Sequence, residues 1–159
     1  MVEPTPEIGT RRAVGGRLGE WGVTWMAERR VWIVEDEPAA ALLAAELCEA
    51  GGASASVFRQ PSTFMSALRA SGPPTAVVLD WRLERELSAP LFLATRHRHP
   101  QLPVIYWTGS TVGALPAMIS EDRWVRVVDK AAGTAPFEAA LAWALTPADV
   151  AEPEDSPVR

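Results

Sequence analysis

Glu35-Asp36-Glu37, Asp80, Thr108 and Lys130 are the residues of this chain whose types and settings could do chemistry together. Each leaves a short apolar run. The three acids follow Val31–Val34, Asp80 follows Ala76–Leu79, Thr108 follows Trp107, and Lys130 comes two residues after Val128. Carboxylates crowded together repel one another unless a cation sits among them. Hard oxygen ligands with room for water suit Mg²⁺, which takes one or two carboxylates plus phosphate oxygens. One carboxylate of such a set can attack a phosphoryl group and hold it as an aspartyl phosphate. A hydroxyl and an ammonium must then meet the remaining phosphoryl oxygens, and Thr108 and Lys130 are of the right types. Lys130 is the one lysine among fifteen basic residues. A compact ammonium differs chemically from a planar guanidinium, and a tight pocket can require it. Singly, these residues have plain readings as an N-cap acid, a solvated acid, a turn threonine and a surface lysine; their joint placement does not.

That placement requires elements that bring the run ends together. Five short apolar runs (31–34, 55–58, 76–79, 103–107 and 125–128) are rich in β-branched and aromatic residues. The first, third and fourth are almost continuously apolar, as strands buried on both faces of a parallel sheet are. Helix-compatible stretches separate them. The stretch 38–50 ends at Gly51-Gly52, 61–70 ends near Gly72-Pro73, Ser88 is placed to cap 89–98, and Thr134 to cap 135–145. The interval 113–120 is short and holds Pro116, which predicts a stunted helix. Five strand–helix alternations predict an α/β fold, a doubly wound five-stranded parallel sheet of flavodoxin-like order 2-1-3-4-5 with helices on both faces. In such sheets ligands collect beyond the carboxyl ends of the strands.

The 159 residues amount to about one domain. Residues 30–146 read as that domain, 1–29 as an extension and 147–159 as a disordered acidic, proline-rich tail. A net charge of −5 argues against a nucleic-acid or membrane-surface binder. No apolar run approaches the roughly 18 residues of a membrane span, and Arg11-Arg12 lacks the apolar stretch of an export signal. A cytoplasmic setting is expected. Cys48, the single cysteine, excludes an internal disulfide and a multi-thiolate metal site. His97 and His99, two residues apart on a helix, point in different directions and read as a solvated helix end.

The segments Val31-Trp-Ile-Val-Glu35-Asp36-Glu37, Val77-Val-Leu-Asp80, Ile105-Tyr-Trp-Thr108-Gly109 and Val127-Val-Asp-Lys130 together resemble the receiver domain of two-component response regulators. The resemblance spans about 115 residues. It implies that Asp80 accepts a phosphoryl group from a histidine kinase or phosphotransfer protein. It further implies that Glu35, Asp36 and Asp80 hold Mg²⁺ with the backbone carbonyl of Arg82, and that Thr108 and Lys130 engage the phosphoryl group. Arg82 and Ser110 occupy positions that tune acyl-phosphate hydrolysis in the family.

The chain departs from the family pattern in three places. Ala131 follows the lysine where proline is usual, Val127 stands where an aromatic often switches, and no Met-Pro pair follows Asp80. Tyr106-Trp107-Thr108-Gly109 with Leu115-Pro116 is similar to stand-alone receivers of the FATGUY type. On that reading signals leave through the Thr108 loop and the short fourth helix. Only fourteen residues follow the last helix, too few for a DNA-binding module. A single-domain regulator acting on a downstream protein by contact is expected, with homodimerisation open and no turnover enzymology beyond its own phosphorylation and dephosphorylation. The alternative is a receiver-like binding module that is not usefully phosphorylated. A haloacid-dehalogenase-type phosphatase would need Asp-x-Asp leaving its first strand, where Pro38 stands two residues after Asp36. A dinucleotide enzyme would need a glycine-rich turn there.

Overall fold

A computed structural model of the chain describes residues 28–109 and 115–147. The expectations for most of the extension, for Ser110 and for the acidic tail fall outside the described residues. The elements are, in order, β1 (Arg30–Val34), α1 (Pro38–Ala50), β2 (Ser54–Phe58), α2 (Pro61–Ala70) and β3 (Ala76–Leu79). After these come β4 (Arg82–Leu83), β5 (Glu86–Leu87), α3 (Ala89–Arg98), β6 (Val104–Thr108), α4 (Ala117–Ser120), β7 (Val125–Asp129) and α5 (Ala135–Leu145). Five strands form one parallel sheet in the order β2-β1-β3-β6-β7. With the small β4–β5 hairpin set aside, this is the expected 2-1-3-4-5 order.

Strand burial follows position in that order. All four residues of β3 and all five of β6 are buried, as continuous apolar runs at the sheet centre require. The edge strand β2 exposes Ser54, Ser56 and Val57. Side chains alternate across the sheet and divide the core in two. One half packs Trp32, Val77, Tyr106 and Val125 against Phe64 and Leu68 of α2, Leu91 and Phe92 of α3, and Ile119 of α4. The other packs Ile33, Val78, Ile105, Trp107 and Val128 against Ala44 and Cys48 of α1 and Phe137 and Leu141 of α5. Phe64, Phe92 and Phe137 are essentially fully buried, and each contributes about 2 kcal/mol or more through lost water contact.

Helix starts follow a single local rule. Pro38, Pro61, Pro90 and Pro136 occupy the first or second position of their helices, where the missing N–H costs nothing and the fixed φ suits the first turn. The capping expectations need correction. Neither the Ser88 nor the Thr134 side chain bonds to its helix. Ser88 Oγ turns instead to the Tyr106 hydroxyl at 3.4 Å, while the Ser88 carbonyl accepts from Leu91 and Phe92 N–H. Helix α1 stops as expected, with Gly52 at φ +87 taking the left-handed backbone that glycine adopts freely. Helix α4 is a single turn behind Pro116. None of the described helices is long and apolar enough to cross a membrane.

Cys48 lies on the inner face of α1 with no solvent exposure, and burial pushes its thiol up to about 12. Folded protein is therefore expected to resist iodoacetamide at pH 8, with labelling appearing only in urea. Rapid labelling of folded protein would show that α1 does not pack as described.

Candidate functional site

The parallel sheet sends three strand ends and one strand-to-helix junction to the same edge. At β1, the Glu35 N–H donates to the Phe58 carbonyl at 3.1 Å, extending the β1–β2 ladder one residue past the strand. At β3, the Asp80 N–H likewise donates to the Val34 carbonyl at 3.2 Å. These bonds fix where each carboxyl-bearing backbone leaves the sheet. Glu35 is buried and Asp80 nearly so, with Asp36 half-buried beside them. One oxygen from each of the three carboxylates lies within 4.8 Å of the others.

Lys130 crosses to this cluster from the end of β7. Its Nζ donates to Glu35 Oε2 at 2.6 Å and to Asp80 Oδ2 at 2.8 Å. Lys130 opens a single 3-10 turn over Lys130–Ala132, which the Asp129 side chain caps by accepting from the Ala131 N–H at 2.8 Å. Gly133 ends that turn at φ +82 and ψ −169, a region that only glycine enters without strain. Lys130 is thus aimed inward by the strand before it and the glycine after it. Thr108 ends β6, is 1% exposed, and stands in register with Asp129, one residue before the lysine.

The segment after Asp80 carries structure that the sequence reading did not anticipate. Arg82–Leu83 and Glu86–Leu87 form an antiparallel hairpin. The Arg82 N–H donates to Asp80 Oδ1 at 3.3 Å, and the Glu84 N–H donates to Asp36 Oδ2 at 2.6 Å. Glu84 has φ 50, an uncommon conformation for a residue with a side chain, and its hydrogen bond holds the hairpin tip to the acidic cluster. This hairpin lacked the Asn-Gly or Gly-x turn that would have announced it. The Arg82 side chain is exposed, so any contribution of this residue to the cluster comes from its backbone. Trp81 turns into the core against Tyr106, with ring centroids 6.2 Å apart.

Three carboxylates and one ammonium carry a formal excess of two negative charges, which a divalent cation matches. Among the described residues these three acids are the one group of His, Cys, Asp and Glu placed to hold a metal; His97 and His99 bring no further ligand. Burial of the cluster registers on Glu35. Desolvation raises its pKa above the ordinary value, against hydrogen bonds from Lys130 and the Glu37 N–H that lower it. Burial works to lower the Lys130 pKa, but the bonds to Asp80 and Glu35 outweigh it and the ammonium is held on.

Sequence reasoning missed two aromatic contributors. Tyr106 stands in register with Val127, the position without the expected aromatic, and is completely buried with its hydroxyl on Ser88. Trp107 places its ring beneath the Lys130 ammonium. Both read as strand core, and the 2.0 periodicity of β6 alone could have shown only that they face opposite sides.

No protein-family model matches the sequence, and no curated protein matches it. Solved structures do. A response regulator receiver domain protein from Bacillus halodurans is 22% identical, with 77% of this chain and 100% of that one covered at TM-score 0.61. The fold is that of a receiver domain. The response regulator protein TrrA from Thermotoga maritima, solved in complex with Mg²⁺-BeF, is 16% identical, covering 74% and 99% of the two chains at TM-score 0.63. The receiver domain of nitrogen regulatory protein C is 22% identical, covering 76% and 96% at TM-score 0.62.

Lys130→Met would leave two buried carboxylates facing each other without their ammonium. It is expected to lose about 2–3 kcal/mol at pH 7 in urea unfolding. The pH dependence has a definite sign. The raised Glu35 pKa means that this group favours folding most when protonated, and the favour is lost as pH rises through its folded value. Lys130 contributes fully below its ordinary value of 10.5, and loses that contribution as pH rises through its raised folded value. The variant deprives Glu35 of its partner, so the deficit should shrink as pH falls through the mildly acidic range. A deficit that stays constant down to the ordinary glutamate range would contradict this account.

Proposed function

We propose that this chain is a response-regulator receiver that accepts a phosphoryl group on Asp80 from a histidine kinase or histidine phosphotransfer protein. The observation that carries the reading is the Lys130 ammonium bonded to both Glu35 and Asp80 inside a cluster of three carboxylates. Glu35, Asp36, Asp80 and the Arg82 carbonyl would hold Mg²⁺ there. The ion would supply positive charge against the phosphoryl oxygens and the attacking carboxylate.

The chain's own residues then divide the work. An Asp80 carboxylate oxygen attacks phosphorus in line with the leaving imidazole nitrogen; the O–P bond forms as the N–P bond breaks. Lys130 is already hydrogen-bonded to Asp80 and can turn to a phosphoryl oxygen as the carboxylate loses its charge. The Thr108 hydroxyl serves a second oxygen. Hydrolysis of the acyl phosphate at the same site returns Asp80, so the chain promotes its own phosphorylation and dephosphorylation without being a turnover enzyme. Its effect passes to a downstream protein by contact, biased by the phosphorylation state.

A second reading, a binding module that is not usefully phosphorylated, draws on Ala131 in place of the usual proline and on an ammonium already satisfied by two carboxylates. Incubation with acetyl phosphate separates the two. Wild-type protein is expected to show a retarded Phos-tag band that requires Mg²⁺, and Asp80→Asn to show none. No retarded wild-type band would favour the binding module, and a band persisting in Asp80→Asn would place the chemistry elsewhere.

A further inference from the structure

Trp107 touches the site from below. Side chains alternate along β6, so Tyr106 faces α2 and α3 while Trp107 faces α1 and α5. Trp107 is in register with Val128, and Lys130 follows two residues later on the same side. The Lys130 ammonium lies over the indole, with Nζ 5.2 Å from the ring centroid. The ring is 4% exposed and also packs against Phe137 at a centroid separation of 5.1 Å. A chain of contacts results: Phe137 meets the Trp107 ring, the ring meets the Lys130 ammonium, and the ammonium bonds to Glu35 and Asp80.

We propose that Trp107 is a positioning residue for Lys130, its indole face holding the ammonium at the height where it reaches both Glu35 and Asp80. An aromatic face attracts a cation through its quadrupole, and indole does so best. The buried indole N–H has no hydrogen-bond partner among the described residues. That is a cost a phenyl ring would avoid, and packing alone gives no reason to accept it. The ring also differs from the carboxylates in one useful respect. It carries no formal charge to lose, so its hold on the ammonium persists while Asp80 changes charge. This last role rests on the proposed phosphoacceptor function; the placement of Lys130 does not.

The single lysine makes the test direct. Protein carrying ¹³Cε-lysine gives one lysine methylene correlation, which in the wild type should lie upfield of a free lysine because of the indole ring current. Trp107→Leu should move it to the free-lysine position and weaken Mg²⁺–beryllofluoride binding about five-fold. Trp107→Phe, which fills more of the space and keeps a π face, should retain part of the shift and most of the affinity. It also serves as the folded comparison if the leucine variant melts. A lysine correlation unchanged in both variants, or already at the free-lysine position in the wild type, would overturn the inference. Wild-type protein that binds no beryllofluoride but shows the shift would remove the proposed function and support the positioning role.

Discussion

One ammonium set among three carboxylates is the constraint on which the rest of this structure depends. Glu35, Asp36 and Asp80 come from two adjacent strands and could not stay this close in a low-dielectric edge without positive charge beside them. Lys130 supplies one charge and leaves an excess of two negative charges. The sheet order makes the meeting possible: β1 and β3 are neighbours, so Glu35 and Asp80 leave side by side, and the lysine reaches in from β7 across the end of β6. Rigid strand ends, extended by the Glu35 and Asp80 backbone bonds, hold the acids where flexible loops would let them separate.

Much of this was legible in the sequence because it is written in strong local signals. Continuous apolar runs mark β3 and β6 as central strands, and prolines in the first turns mark where α1, α2, α3 and α5 begin. The acids, the threonine and the lysine could be grouped because each stands just past such a run. What escaped reading depends on tertiary direction. The hairpin after Asp80 turns at Glu84-Arg85, with no glycine or asparagine, and is held by a bond to Asp36 from forty-eight residues away. Ser88 looked like a cap, but its hydroxyl goes to Tyr106, a partner that only the packed sheet supplies. The closeness of the Asp80 and Asp36 carboxylates is visible; which aromatic supports which polar group is not.

The two faces of the sheet serve the site differently. On one, Tyr106 fills the space beside Val127 and links β6 to the start of α3 through Ser88. On the other, Trp107 packs on Phe137 and meets the Lys130 ammonium with its ring. A valine at 127 is thus accommodated because the neighbouring strand carries the large ring at the same level. The hairpin adds a third support, with its Arg82 and Glu84 N–H groups on Asp80 and Asp36. The acidic cluster is gripped by backbone donors from one side and by a lysine from the other.

Borohydride reduction of the acetyl-phosphate-treated protein, followed by peptide mass spectrometry, tests the central claim most directly, because it reports which carboxyl carried the phosphoryl group. The account predicts homoserine at position 80 and at no other acidic residue. Homoserine at position 36, or elsewhere in the chain with Asp80 intact, would contradict it.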